Sequence, residues 1–138
     1  MLRRLKSGAL ESRTVSAVVS RNDVLWLQGL SRRVHVDESL LHYIVQIVHA
    51  TRHAGDYLPQ EQARYLEYGA SPRATIAFVE AACAHALMHG RDHVIPDDVR
   101  AMRHMILRHR LILTFEAVAT QVPVEEIIDG IFGAVPTP

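Results

Sequence analysis

The stretch from Ser71 to Gly90, SPRATIAFVEAACAHALMHG, limits the fold more than any other part of the chain. Ser71 is a capping residue type, Pro72 suits a first helical position, and Gly90 suits a helix end, so a helix is predicted to about His89. Ala70, Ala74, Ala77, Ala81, Ala84 and Met88 recur along it at alternating steps of four and three. Small residues at that period let a second helix approach closely, so the stripe is expected in the core of a helix-on-helix structure rather than at a dimer seam. The same stretch raises a question of charge. Arg73 falls on the first turn, where the helix dipole already supplies partial positive charge. Either solvent screens the guanidinium, or a negative group is meant to sit beside it. With Ser71, Pro72 and the free backbone N–H groups of a first turn, Arg73 would form a site suited to a phosphate oxygen. Gly69 and Ala70, lacking bulk, would let a ligand come close. An exposed arginine at an ordinary helix start explains the residue equally well.

The remaining pattern is also helical. Ser20 and Asp23 resemble a capping box that opens a helix through about Arg32, with Val24, Leu27 and Leu30 on one face. Asp37 caps the next helix, whose apolar face is Leu40, Leu41, Ile44, Ile47 and Val48; it runs to about His53, with Gly55 as its stop. Residues 54–70 form the longest connection, containing Tyr57, Tyr65 and Tyr68, with room for a short helical turn. Pro96, Asp97 and Asp98 start a helix reaching about His109, with Val99, Met102, Met105 and Ile106 inward. A last helix starts near Pro123, with Glu125 and Glu126 in its first turn. Among the rest, TVSAVVS (14–20) reads as an extended, partly buried strip and RLIL (110–113) as extended. VHV (34–36) and HVI (93–95) read as short strands that pair. The expected class is all-α, with about five helices and room for one very short two-stranded β ladder.

Composition removes several functions. A chain of 138 residues suits one domain, and a formal net charge of +0 with 22% charged residues gives no overall field toward nucleic acid or anionic lipid. Fourteen of the basic residues are arginine and one is lysine. That residue, Lys6, follows Leu5, so the phosphate-binding GxxxxGK[ST] loop is missing from this sequence. Cys83 is the single cysteine and is flanked by Ala81, Ala82 and Ala84, which predicts a packed thiol in a reducing compartment. No stretch approaches the ~18 apolar residues of a membrane span. The basic start, MLRRLKSGALESR, turns polar without the hydrophobic region of a signal peptide. A cytoplasmic location is expected.

Nine histidines invite a metal site. His49 and His53 stand four apart, as do His85 and His89, yet no HExxH or CxxC pattern supplies further ligands, so no metal site is expected. Nothing resembles a nucleophile elbow, which argues against hydrolysis by this chain. Arg108, His109 and Arg110 form a basic knot suited to the negative end of a helix dipole. A second reading of those three is contact with a phosphate or an acidic partner surface.

The order of VHVDESLLHYIVQIVHATR, YGASPRATIAFVEAACAHALMHGRDHVIPDDVRAM and ILRHRL resembles the C-terminal helical lid domain of MoxR-family AAA+ ATPases, most clearly over residues 20–115. GASPRA, followed by GRDHVIPDDV and HRL at family spacing, carries the likeness. The resemblance implies that Arg73 is the sensor 2 arginine that reads the γ-phosphate of ATP, with Gly69, Ala70, Ser71 and Pro72 close to the nucleotide. It implies that residues 1–19 are a linker from a core ATPase domain absent from these residues, and that 20–138 are the lid. ATP and magnesium would then belong to the full-length protein, and neither catalysis nor tight nucleotide binding is expected of this chain alone. The implied partners are that core, neighbouring subunits of a ring expected to be hexameric, and a client protein remodelled in a chaperone-like way. Apolar surface that packs on the core should be exposed here. A standalone helical interaction module, working through residues 54–70, is the alternative.

Overall fold

A computed structural model describes residues 16–138; the basic opening stretch, and the part of the expected linker before residue 16, lie outside the described residues. Helix α1 (Arg21–Ser31) starts as its sequence dictates. The Asp23 N–H donates to the Ser20 hydroxyl at 3.2 Å, and the Ser20 N–H donates back to the Asp23 carboxylate at 2.8 Å, a closed capping box. Its apolar face, however, is not covered. Val24 and Leu27 are exposed and Leu30 is half-buried, although the helix touches the one formed by residues 73–88. Residues 16–20 are likewise exposed, so the part of the expected strip that lies there is not buried.

Helix α2 (Glu38–Arg52) is capped by Asp37, which accepts from the Ser39 N–H at 2.9 Å. It buries Leu40, Tyr43, Ile44, Ile47, Val48, Ala50 and Thr51. Leu41, expected inward, is exposed on the flank. Gly55 does not stop this helix. His53 breaks it with an irregular backbone (φ −128°, ψ 46°), and Gly55 falls inside α3 (Ala54–Tyr57). Short helix α4 (Gln60–Ala63) and strand β1 (Leu66–Tyr68) complete the segment, whose Leu58 is buried, so 54–70 is packed structure rather than an open loop.

Helix α5 (Arg73–Met88) ends in a Schellman motif. Gly90 takes φ +71°, its N–H donates to the Leu87 carbonyl at 2.9 Å, and the Arg91 N–H donates to that of Ala86 at 3.0 Å. The face that α5 buries is Ala74, Phe78, Ala82, Cys83 and Ala86, continuing from Ala70. Of the expected stripe, only Ala70 and Ala74 belong to it. Ala77 and Ala81 are half-buried, Ala84 is exposed and Met88 is 84% exposed. Phe78 offers more apolar surface than any alanine, so the face that hides Phe78 is the one that wins.

Helix α6 (Pro96–Leu107) packs on α5 and buries Asp98, Val99 and Leu107. It stops short of His109; Met102 and Ile106 are half-buried, and Met105 points to solvent, contrary to expectation. Strand β2 (Ile112–Leu113) fulfils the extended reading of RLIL and pairs antiparallel with β1, Leu66 opposite Leu113 and Tyr68 opposite Ile112. The tiny ladder therefore exists, but not where expected. Between 34–36 and 93–95 there is one parallel bridge, His35 to His93. Helix α7 (Phe115–Ala119) leads to α8 (Val124–Ala134), whose Ile127, Ile128, Ile131 and Phe132 close the core. Phe132 meets Tyr43 edge-on at 6.4 Å and Phe78 at 6.1 Å, joining α2, α5 and α8 at one aromatic centre. Eight helices and one two-stranded sheet are thus present among the described residues.

Candidate functional site

The segment from Gly69 to Arg73 is fixed by the last turn of α2. Thr51, buried there, donates its hydroxyl proton to the Val48 carbonyl at 2.6 Å and accepts from the Ala70 N–H at 3.0 Å. Gly69 passes so close that a Cβ on it would stand 2.2 Å from the Thr51 carbonyl oxygen. Ala70 is fully buried, whereas Ser71, Pro72 and Arg73 emerge into solvent. Just before it β1 is tied to β2, so the approach to Arg73 is anchored twice.

The first turn of α5 departs from expectation in its cap. No side chain caps it, Ser71 included, and no acidic residue stands in that turn. The backbone does the capping, for the Ala74 N–H donates to the Ser71 carbonyl at 2.9 Å and the Thr75 N–H to that of Pro72 at 3.1 Å. The Thr75 hydroxyl also donates to the Pro72 carbonyl, at 2.7 Å. Two of the amides expected to be free are therefore engaged. Arg73 makes no side-chain hydrogen bond or ion pair among the described residues, and an exposed guanidinium at a helix start without a carboxylate can attract an anion.

The basic knot leads into β2, whose Ile112 stands opposite Tyr68, and its arginines have bonds of their own. The Arg108 Nε donates to Glu125 at 2.6 Å, tying the end of α6 to α8, and Arg110 donates to the Ile106 carbonyl at 2.9 Å while touching His109. Those bonds brace the end of α6. Of the tyrosines, Tyr57 and Tyr65 are half-buried and Tyr68 is exposed beside Gly69.

Sequence reasoning missed the most concentrated electrostatics. Asp98 is completely buried and accepts from both terminal nitrogens of Arg91 at 2.6 and 2.7 Å and from the Ile95 N–H at 2.9 Å. His85 Nδ1 lies 2.6 Å from its other oxygen. Burial pushes the carboxyl up, but the Arg91 guanidinium, the Ile95 amide and His85 together outweigh it and hold the group well below the usual carboxylate range. Cys83 is buried as expected, and its thiol is pushed up first by burial and then by the Asp98 charge. Nothing in the spacing announced the cluster, because its members come from two helices and the turn between them.

A groove of about 900 Å³ runs between α1, residues 34–36 and α5, lined by Leu27, Val34, Leu41, Val79 and Leu87 among others. Beside it Val24, Leu25, Trp26 and Leu27 are all exposed, in agreement with the uncovered apolar surface that the resemblance implies. Among the described residues no helix is long and apolar enough to cross a membrane.

Comparison with known proteins gives a consistent picture. The family described as AAA lid domain matches residues 59–131. Chaperone MoxR1 of Mycobacterium tuberculosis is 36% identical over 121 residues, which are 88% of this chain and 32% of that protein. Uncharacterized protein YeaC of Bacillus subtilis is 38% identical over 125 residues, 91% of this chain and 36% of that protein. This chain thus spans about a third of the length of the curated relatives it matches. A crystal structure from Cytophaga hutchinsonii, described as a "putative ATPase", superposes with a TM-score of 0.85 at 35% identity, covering 98% of this chain and 42% of that one.

Proposed function

The chain belongs to the AAA lid domain family, and from that premise we propose that it closes over ATP in a MoxR-type AAA+ ATPase and offers Arg73 to the γ-phosphate as the sensor 2 arginine. One observation supports this above the rest: Arg73 is exposed at the start of α5 and has no partner among the described residues, while Gly69 and Ala70 hold its root against α2. A charge that must read a phosphate gains from a fixed base and from having no carboxylate of its own to satisfy.

Residues 20–138 would form the lid and 1–19 the link to a core domain. The phosphate loop and the magnesium ligands would lie in that core, so the nucleotide would sit between two domains and bind only weakly to this one. Gly69 to Pro72 would line its near side. Loss of the γ-phosphate would remove a charge-assisted contact across a hinge and let the lid swing. Neighbouring subunits of a ring, hexameric in our reading, would feel that swing, and a client protein would be remodelled by it. Such work would take place in the cytoplasm.

The test is Arg73→Ala in the protein that joins this lid to its core. One charge-assisted hydrogen bond contributes about 1.5–3 kcal/mol, so ATP turnover is expected to fall by at least about tenfold. Turnover at the wild-type rate would overturn the sensor role.

A further inference from the structure

His85 and His89 close the last turn of α5 with ring centroids 4.3 Å apart. Each ring already has one nitrogen committed. His85 Nδ1 faces the Asp98 carboxylate at 2.6 Å, and that buried carboxylate, ionised and charge-matched by Arg91, can only accept. His89 Nδ1 lies 2.8 Å from the His85 carbonyl oxygen, also an acceptor only. Both Nδ1 atoms must therefore carry the proton, and in a neutral imidazole the lone pair is then left on Nε2. Neither Nε2 has a hydrogen-bond partner among the described residues, and both rings reach solvent, with His85 half-buried and His89 exposed.

That is the tautomer a metal ligand needs. Ligating imidazoles usually have their other N–H held by a carboxylate or a backbone carbonyl, and here one is held by each. The ring planes are inclined by 40°, so, unlike those of stacked rings, the planes that hold the two lone pairs intersect. The chain carries its own contrast. His49 and His53 have the same spacing, and His53 Nδ1 likewise lies 3.2 Å from the His49 carbonyl, but their rings stack at 16°, and among the described residues His49 Nδ1 meets only the Tyr57 hydroxyl, at 3.4 Å. A hydroxyl both donates and accepts, so it does not fix the tautomer.

We propose that the Nε2 atoms of His85 and His89 form a two-nitrogen site for a late first-row divalent cation such as Ni²⁺, Cu²⁺ or Zn²⁺, with water completing the coordination. This reverses the sequence-based expectation of no metal site, which asked for a third protein ligand. Structural zinc sites need four ligands, whereas an exchangeable site on a helix face works with fewer. Arg91 does not repel the ion, because Asp98 has already taken up its charge.

The test is calorimetric titration of the chain with Ni²⁺, which takes imidazole nitrogens readily. Saturable binding is expected at about pH 7.5, where imidazole nitrogens are available as ligands. His89→Ala, an exposed change that leaves the Asp98 cluster intact, should weaken binding at least about tenfold, and His53→Ala less than about twofold. A Ni²⁺-dependent rise in melting temperature should appear in wild type and vanish in His89→Ala. The proposal is overturned if no saturable binding appears at millimolar Ni²⁺, if His89→Ala binds like wild type, or if His53→Ala abolishes binding.

Discussion

Gly69 is glycine because of what lies beside it, not because of an unusual turn; among the described residues the left-handed glycine is Gly90. A methyl group on Gly69 would stand 2.2 Å from the Thr51 carbonyl oxygen and 2.4 Å from its carbon. Backbone cannot rotate aside as a side chain would. Gly69→Ala must therefore push the approach to α5 off α2 and stretch the 3.0 Å bond from Ala70 to Thr51. A loss of about 1–3 kcal/mol in urea unfolding is expected, in the range of other overpacking changes. Gly55→Ala is the control: no atom lies within 4 Å of its added methyl, and helix α3 accommodates alanine, so stability should hold or rise slightly. Sequence reading had found Gly69 for a different reason, ease of ligand approach. It placed Arg73 on the first turn correctly, since Ser71 and Pro72 mark a helix start through local geometry alone. It could not find the Asp98 cluster, because a buried carboxylate is defined by what surrounds it, and His85 lies thirteen positions away in sequence.

Long helices with marked starts were legible for the same local reason, and which side each one turns inward was less so. In α5 nearly every small residue is alanine, so a stripe of alanines cannot say which of them meets a partner; Phe78 can. The buried row 70, 74, 78, 82, 86 advances by fours, as the ridges of tightly packed helices do, whereas the expected stripe alternated fours and threes. Two substitutions separate the faces. Ala82 is fully buried, and Ala82→Leu should cost about 1–3 kcal/mol by overpacking. Ala84 is exposed, and Ala84→Leu should stay within about 0.5 kcal/mol of wild type. Thermal melts of the two variants read the difference directly, and a more damaging Ala84→Leu would refute the observed packing. Helices α3, α4 and α7, of four or five residues, are shorter than the window over which periodicity can be seen. The same limit explains the misplaced ladder, since two- and three-residue strands carry no pattern and are made by the contacts that bring β1 to β2.

For the molecule as a whole, the informative surface is the one left bare. Val24, Leu25, Trp26 and Leu27 are consecutive, and all four are more than 40% exposed. A surface helix that had found its partner would hide at least one of four successive large apolar residues, because they span a full turn. The sequence announced an apolar face here but not what covers it, for a pattern cannot say whether the covering layer belongs to the same domain. In our reading the core ATPase domain covers it, and each large side chain so hidden contributes up to about 1.5–3 kcal/mol. Two measurements follow. The isolated chain should self-associate through this face, its weight-average mass rising with concentration in sedimentation, and Trp26→Glu should hold it monomeric. Trp26 is also the single tryptophan, so its fluorescence reports on this face alone. Emission from the dilute isolated chain should be that of an indole in water, and it should shift to the blue when the lid is joined to its core. A chain that stays monomeric at every concentration, with Trp26 emission unmoved by the core, would leave the bare face without a partner and remove the physical reason for placing the core there.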